Sequence, residues 1–202
     1  MKKNKVIIIL YILLIIAIAL LIFVFVKDIY QSYKTEEINN SVLEKLEQEI
    51  KINNQENTTE IKDSQVNNNS TVINNYTVYG KIEISSVGIK YPILEYNDQT
   101  LKNSICTLLN KPIDGTGNLC LAGHNTSNGT LFGKLKKVKS GDIVKITNIN
   151  GEIFRYKIYN ITVVQPNDNS LLAFTDNSIV TLITCTNSAK QRLVVQGELI
   201  NE

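Results

Sequence analysis

The 202-residue chain holds one histidine, His124, no tryptophan, three prolines and three cysteines, Cys106, Cys120 and Cys185. No Cys-x-x-Cys pair occurs, and one His adds little, so an ordinary four-ligand zinc finger is excluded. Three thiols cannot all pair with one another, so at least one is free or bonded to another chain. Arginine is scarce as well: Arg155 and Arg192 stand against a background of lysine. Strong charge of one sign is also missing. Residues 1–27 carry +4, residues 28–75 carry −5 and residues 76–202 carry +3, for the net +2 of the whole chain. No segment has the dense basic clustering that nucleic-acid binding requires. The one short basic run, Lys134, Lys136, Lys137 and Lys139, reads as a solvated face, with contact to an anionic wall polymer as the alternative.

What the chain does have is an apolar block. Val6 to Val26 is 21 residues without charge, Gly, Pro, Asn or Gln. As a helix it would be ~31 Å long, enough to cross the hydrocarbon core of a bilayer. A freely soluble cytosolic protein is therefore excluded. Lys2, Lys3 and Lys5 precede the block, which predicts a single pass through the cell membrane with the N-terminus cytoplasmic. A cleaved signal peptide is the rival. It needs a shorter apolar region and small residues at its end, whereas this block ends Phe23, Val24, Phe25, Val26. An uncleaved anchor over 6–26 is the expectation, with 1–5 cytoplasmic and everything beyond Lys27 extracytoplasmic, where disulfides are permitted.

Residues 27–75 form an Asn-rich stalk with no Phe, Pro or Gly. Ile38, Val42, Leu46 and Ile50 recur every four residues, which predicts an amphipathic helix over about 35–52. The rest of the stalk is too poor in apolar residues to offset chain entropy and is expected to act as a flexible spacer.

From residue 76 to 202 the pattern changes to short apolar runs broken by turn signals, in a length that suits one core. Strands are predicted at 77–84, 89–94, 118–122, 143–148, 153–164, 179–184 and 193–200, with turns at Asn150-Gly151, Pro166-Asn167-Asp168 and Ser140-Gly141-Asp142. Asn97–Leu109 has helical spacing through Leu101, Ile105 and Leu108, and Leu131–Val138 reads as a short helix. Many short strands with few helices predict a mainly β fold, a barrel or sandwich.

Three residues in this domain stand out chemically. Cys185 ends the apolar run Thr181-Leu182-Ile183-Thr184 at the edge of a polar loop. A thiol at the lip of a strand suits a nucleophile, and equally a small core residue; position alone leaves both readings open. His124 ends the strand Leu119–Ala122 in a Gly-containing polar loop. A lone His is commonly structural, yet this is the only side chain of the chain with an ordinary pKa near neutrality. Arg192 follows Cys185 by seven residues, at the start of a strand. A hairpin there would set the two side by side, and a guanidinium offers a rigid fork of donors that lysine lacks. Arg155 reads as a surface residue. Thiol, imidazole and guanidinium together are the elements of acyl transfer: nucleophile, proton carrier and oxyanion donor.

At these residues the sequence resembles the sortase family of Gram-positive bacteria. The resemblance is carried by Leu-Ala-Gly-His-Asn at 121–125, Thr-Leu-Ile-Thr-Cys at 181–185 and Arg192, in that order. It extends over Gly80-Lys81-Ile82-Glu83-Ile84 and Tyr91-Pro92-Ile93-Leu94, so over essentially all of 79–200. It implies an eight-stranded β-barrel and a cysteine transpeptidase. Such an enzyme cleaves LPxTG-like sorting signals after Thr and passes the acyl group to an amine, commonly the cross-bridge of the peptidoglycan precursor lipid II. Cys185 would be the nucleophile, His124 the general acid/base and Arg192 the oxyanion and substrate anchor. Ala122 and Ile183 would line the sorting-signal groove. No cofactor and no metal are implied.

Departures from the family narrow the expectation to a class A or class D housekeeping type. The stretch from Pro166 to Thr181 has no room for the long helix of class B. No Pro precedes Pro92, so the Asp-Pro-aromatic lid of pilus-polymerising members is absent. Residues 111–121 offer only Asp114, against the acid cluster of calcium-stimulated members. Selectivity for the signal is expected in the loops at 97–117 and 165–178. Cys106 and Cys120 read as buried thiols, with a Cys106–Cys120 disulfide as the alternative. An L,D-transpeptidase would carry a second His beside the nucleophile, and papain-type peptidases place Cys before His. The rival from another class is a non-catalytic membrane-anchored β-domain that binds cell-wall components or partner proteins.

Overall fold

A computed structural model of the chain describes residues 2–56, 69–108, 112–173 and 175–200. The part of the stalk at 57–68 and the predicted helical end at Leu109 lie outside them. The chain divides into two units, 1–37 and 38–202.

The first unit is helical throughout its described residues. It belongs to α1, Lys2–Glu56, and its apolar residues from Ile7 to Val26 are exposed along the whole run. The helix is long and apolar enough to cross a membrane. A helix that is apolar on every side and exposed among the described residues is a candidate membrane anchor.

The second unit is built on β1 (Thr71–Ile73), β2 (Tyr76–Ile84), β3 (Ile89–Glu95), α2 (Asp98–Asn103), β4 (Ile105–Thr107), β5 (Asn118–Ala122), β6 (Ile143–Asn148), β7 (Ile153–Val164), β8 (Ile179–Thr186) and β9 (Gln191–Leu199). The strands pair in the order β2-β3-β4-β5-β8-β9-β7-β6, and β6 pairs back onto β2. Eight strands thus close a barrel, and β1 adds a hairpin to the start of β2. Closure leaves the barrel without an open sheet edge. Most pairs are antiparallel; β3–β4 and β5–β8 are parallel. The barrel is filled by Ile, Leu and Val from nearly every strand, with Phe132 and Tyr156 among the largest fully buried side chains. Gly80 sits at the bulge where β2 leaves β3's regular register and meets β6; a Cβ there would run into the carbonyl oxygen of Thr147. Close backbone approach is what reserves the position for glycine.

Two short elements differ from the sequence pattern. The helix predicted over 97–109 is shorter, the six-residue α2, capped by Asn97, whose side chain accepts from the backbone N–H groups of Gln99 and Thr100 while the Thr100 hydroxyl accepts from the Asn97 N–H. Ile105 and Cys106 leave the helix and join β4 against β3. The Leu131–Val138 segment contains only a 3₁₀ turn at Leu135–Lys137.

The amphipathic face predicted in the stalk is part of this second unit. Val42 and Leu46 of α1 are fully buried in a cluster with Ile73, Val78, Leu94, Cys106 and Ile149, on the outside of the barrel wall. Around its rim Glu47 pairs with Lys81 at 2.6 Å and Lys90 at 2.9 Å, and Asn39 donates from Nδ2 to the carbonyl of Asn103 at 2.6 Å.

Candidate active site

The barrel topology converts three distant residues into neighbours. β5, β8 and β9 are consecutive in the sheet. Cys185 and Arg192 are direct cross-strand partners in the β8–β9 hairpin. Directly opposed residues of an antiparallel pair have Cβ atoms about 4.5–5.5 Å apart. On the other side, Ala122 pairs with Ile183 in the parallel β5–β8 ladder, and His124 and Cys185 each follow two residues later. His124, Cys185 and Arg192 therefore form one row across three strand ends. All three line a single cleft of about 290 Å³, together with Ala122 and Ile183.

Backbone contacts fix this row. Gly123 donates its N–H to the Ile183 carbonyl at 3.2 Å and accepts from the Thr184 hydroxyl at 2.7 Å. A Cβ on Gly123 would press on the Phe132 ring at 2.9 Å, so the residue before His124 must be small. Asn125 reaches across and donates from Nδ2 to the Cys185 carbonyl at 2.8 Å. The loop bearing the imidazole is thus tied to the strand bearing the thiol at the residues on either side of His124.

Arg192 is held by its own hairpin. Its Nη1 donates to the carbonyls of Ala189 at 3.0 Å and Gln191 at 3.1 Å. Asn187, Ser188 and Ala189 all lie at positive φ, between 49° and 67°. That left-handed turn costs conformational energy for residues with a Cβ and points the Ala189 carbonyl at the guanidinium. The remaining N–H groups of Arg192 have no protein partner among the described residues.

None of the three thiols is in a disulfide, and they are unlike one another. Cys185 is half-exposed in the cleft, whereas Cys106 and Cys120 are buried. Burial pushes the Cys106 thiol up to about 11, against a weaker opposing effect of the Thr100 hydroxyl at 3.5 Å, so it stays protonated near neutrality. No group of three or more His, Cys, Asp or Glu able to hold a metal exists among the described residues.

The cleft walls are largely apolar. Tyr96, Leu101 and Leu108 come from the β3–β5 segment, Leu171 and Leu172 from the β7–β8 loop, and Val194 from β9. Such a cleft suits an extended peptide with apolar side chains, presented to a nucleophile at its end.

The Sortase domain family matches residues 82–200. The chain belongs to the sortase family. Sortase A of Bacillus anthracis is 31% identical over 127 residues, which cover 61% of this chain and 60% of that protein's length. Among solved structures, a Clostridium perfringens Sortase D5 transpeptidase matches with a TM-score of 0.59 at 30% identity, covering 82% of this chain and 98% of that one. A Clostridium perfringens sortase C, solved with the C-terminal cell wall sorting motif, matches with a TM-score of 0.57 at 29% identity, over 85% and 97%.

Sequence reasoning on this sortase missed Asn125 as a clamp, Thr184 as the bond to Gly123, and the particular apolar side chains of the walls. Asn125 is adjacent to His124 in the sequence, but only the β5–β8 pairing reveals what its amide meets. Of the two loops expected to govern selectivity, 97–117 supplies Leu101 and Leu108 and 165–178 supplies Leu171 and Leu172, whereas Tyr96 and Val194 lie outside both.

Proposed function

We propose that this sortase is a membrane-anchored cysteine transpeptidase of the housekeeping type. It cleaves LPxTG-like sorting signals after Thr and transfers the surface protein to a cell-wall amine acceptor of the lipid II type. Val6–Val26 holds it in the cell membrane as a single pass with the N-terminus cytoplasmic and the barrel outside. The observation that carries this reading is the row His124, Cys185, Arg192 at the end of an apolar, peptide-sized cleft. The likeness to a sortase C solved with a sorting motif supports the choice of substrate.

The chemistry follows from the row. The Cys185 thiol gives its proton to His124, and the sulfur attacks the Thr carbonyl carbon. The C=O electron pair moves onto oxygen, where the open N–H groups of Arg192 stabilise the developing charge. As the C–N bond breaks, His124 returns the proton to the leaving Gly nitrogen, and a thioester remains on Cys185. The acceptor amine then attacks the thioester and loses a proton to His124. The amide forms and the sulfur leaves, taking the proton back from His124. The apolar walls bind the signal and keep water from the thioester, which favours transfer over hydrolysis.

The test is incubation of the whole chain in detergent with LPxTG peptide variants and a series of amines, with products resolved by mass spectrometry. A new amide joining the Thr-terminated fragment to the amine is expected. Failure to cleave any sorting-type peptide would overturn the reading and favour a non-catalytic wall-binding domain.

A further inference from the structure

The cleft face of the sheet carries a second feature that the catalytic row does not use. On that face the side chains two and four residues before Cys185 are Ile183 and Thr181; across from them lie Val194 and Gln196. Thr181 pairs with Gln196, and Gln196 pairs with Asn160 of β7. Where the row nearer the strand ends is apolar, this one is polar and buried: Thr181 is 0% exposed, Asn118 2% and Gln196 5%.

These four side chains form one directed chain of hydrogen bonds. Asn160 Nδ2 donates to Gln196 Oε1 at 2.9 Å. Gln196 Nε2 donates to Thr181 Oγ1 at 3.3 Å, and that hydroxyl donates to Asn118 Oδ1 at 2.7 Å. Asn118 Nδ2 then donates to two backbone carbonyls of the β7–β8 loop, Leu171 at 3.0 Å and Ala173 at 3.3 Å. Every link runs donor to acceptor in the same sense, so each bond polarises the next. A barrel wall could have used apolar residues here at less risk, since an unsatisfied buried amide costs more than its bond returns. The hydrogen-bond chain ends on the loop whose Leu171 and Leu172 form one wall of the cleft.

We propose that Asn118, oriented through Thr181 and Gln196, is a positioning residue that pins the β7–β8 loop and so sets the shape of the peptide cleft. It touches neither the reacting atoms nor the peptide. It acts through Leu171 and Leu172, holding them where they close on the substrate. The other hydrogen bonds within 165–173 among the described residues are local turns: Asp168 N–H to the Gln165 carbonyl, Ser170 N–H and hydroxyl to the Asp168 carboxylate, and the 3₁₀ turn at Ser170–Leu172. The part of this inference that concerns peptide binding rests on the proposed function; the pinning of the loop does not.

The experiment measures amide hydrogen exchange over 165–173 in the full chain and in Asn118→Ala, with β8 and β9 peptides as the internal record of an intact barrel. Exchange in the loop is expected to rise about tenfold while β8 and β9 stay protected, in keeping with the loss of one or two net hydrogen bonds. With a sorting peptide, KM rises by a similar factor and kcat stays within about twofold, because the catalytic row is untouched. If Asn118→Ala loses the barrel, Thr181→Val removes the central hydroxyl at constant shape and carries the same measurement, and Thr181→Ser restores the wild-type loop. Unchanged loop exchange in a variant that keeps its barrel overturns the inference. The exchange needs no substrate, so a wild-type chain that cleaved no sorting peptide would sink the proposed function and leave this result standing by itself.

Discussion

At the scale of single residues, the site depends on how few groups it uses. One imidazole, one half-exposed thiol and one guanidinium meet because three strand ends are adjacent in the sheet. The guanidinium is the most demanding of them. Two carbonyls fix Nη1, and the planar fork directs the other donors away from that anchor. Arg192→Lys keeps the charge and loses the fork. A fall in kcat of about 10²–10³-fold is expected, the usual consequence of losing one oxyanion donor, with the fold intact by circular dichroism. Near-normal turnover would remove Arg192 from that role. That these candidates share one cleft could be anticipated because their types are rare in the sequence: a lone His and one of two Arg stand out against Lys and Asn. Asn125, Asn118 and Gln196 were not legible, because amides are abundant and their partners lie on other strands. Only the pairing register reveals them.

At the scale of elements, the strands were readable from alternating or continuous apolar runs, and all seven predicted ones are present with small shifts at their ends. β1 and β4 were not. Each has three residues, and Ile105-Cys106-Thr107 continues a helical spacing begun at Leu101. Tertiary pairing with β3 overrides that local pattern. The amphipathic spacing of Ile38, Val42, Leu46 and Ile50 predicted a buried face without saying what would cover it. The face packs on the barrel wall, and Glu47 locks its rim. Hydrogen bonds from Lys81 first and Lys90 second hold the Glu47 carboxyl down to about 2 from 4.5, against a smaller upward effect of burial. The unfolded chain therefore binds this proton more readily than the folded one. The contribution to stability is present above about pH 4.5 and is lost as the pH falls toward 2. Because Glu47 is partly exposed, its size is reduced by solvent screening. Thermal melts between about pH 7 and 3 test this: the wild type should lose its advantage over Glu47→Gln on acidification, and parallel curves would contradict the latch.

At the scale of the whole molecule, the chain combines an apolar helix long enough to cross a membrane with a closed barrel that carries a peptide-sized cleft, and the composition average conceals both. Barrel closure was implied only by the sortase resemblance; alternation alone left barrel and sandwich open, since closure rests on the β2–β6 pairing of residues more than sixty positions apart. The central claim is that this architecture delivers a sorting signal to Cys185. Its most direct test is intact-mass measurement of the detergent-solubilised chain during turnover of an LPxTG peptide without added amine, with the modified residue located by fragmentation. The account predicts a thioester of the Thr-terminated fragment on Cys185, absent from Cys106 and Cys120 and absent in Cys185→Ala. Cleavage that persists undiminished in Cys185→Ala, or an acyl group carried on any other residue, would contradict it.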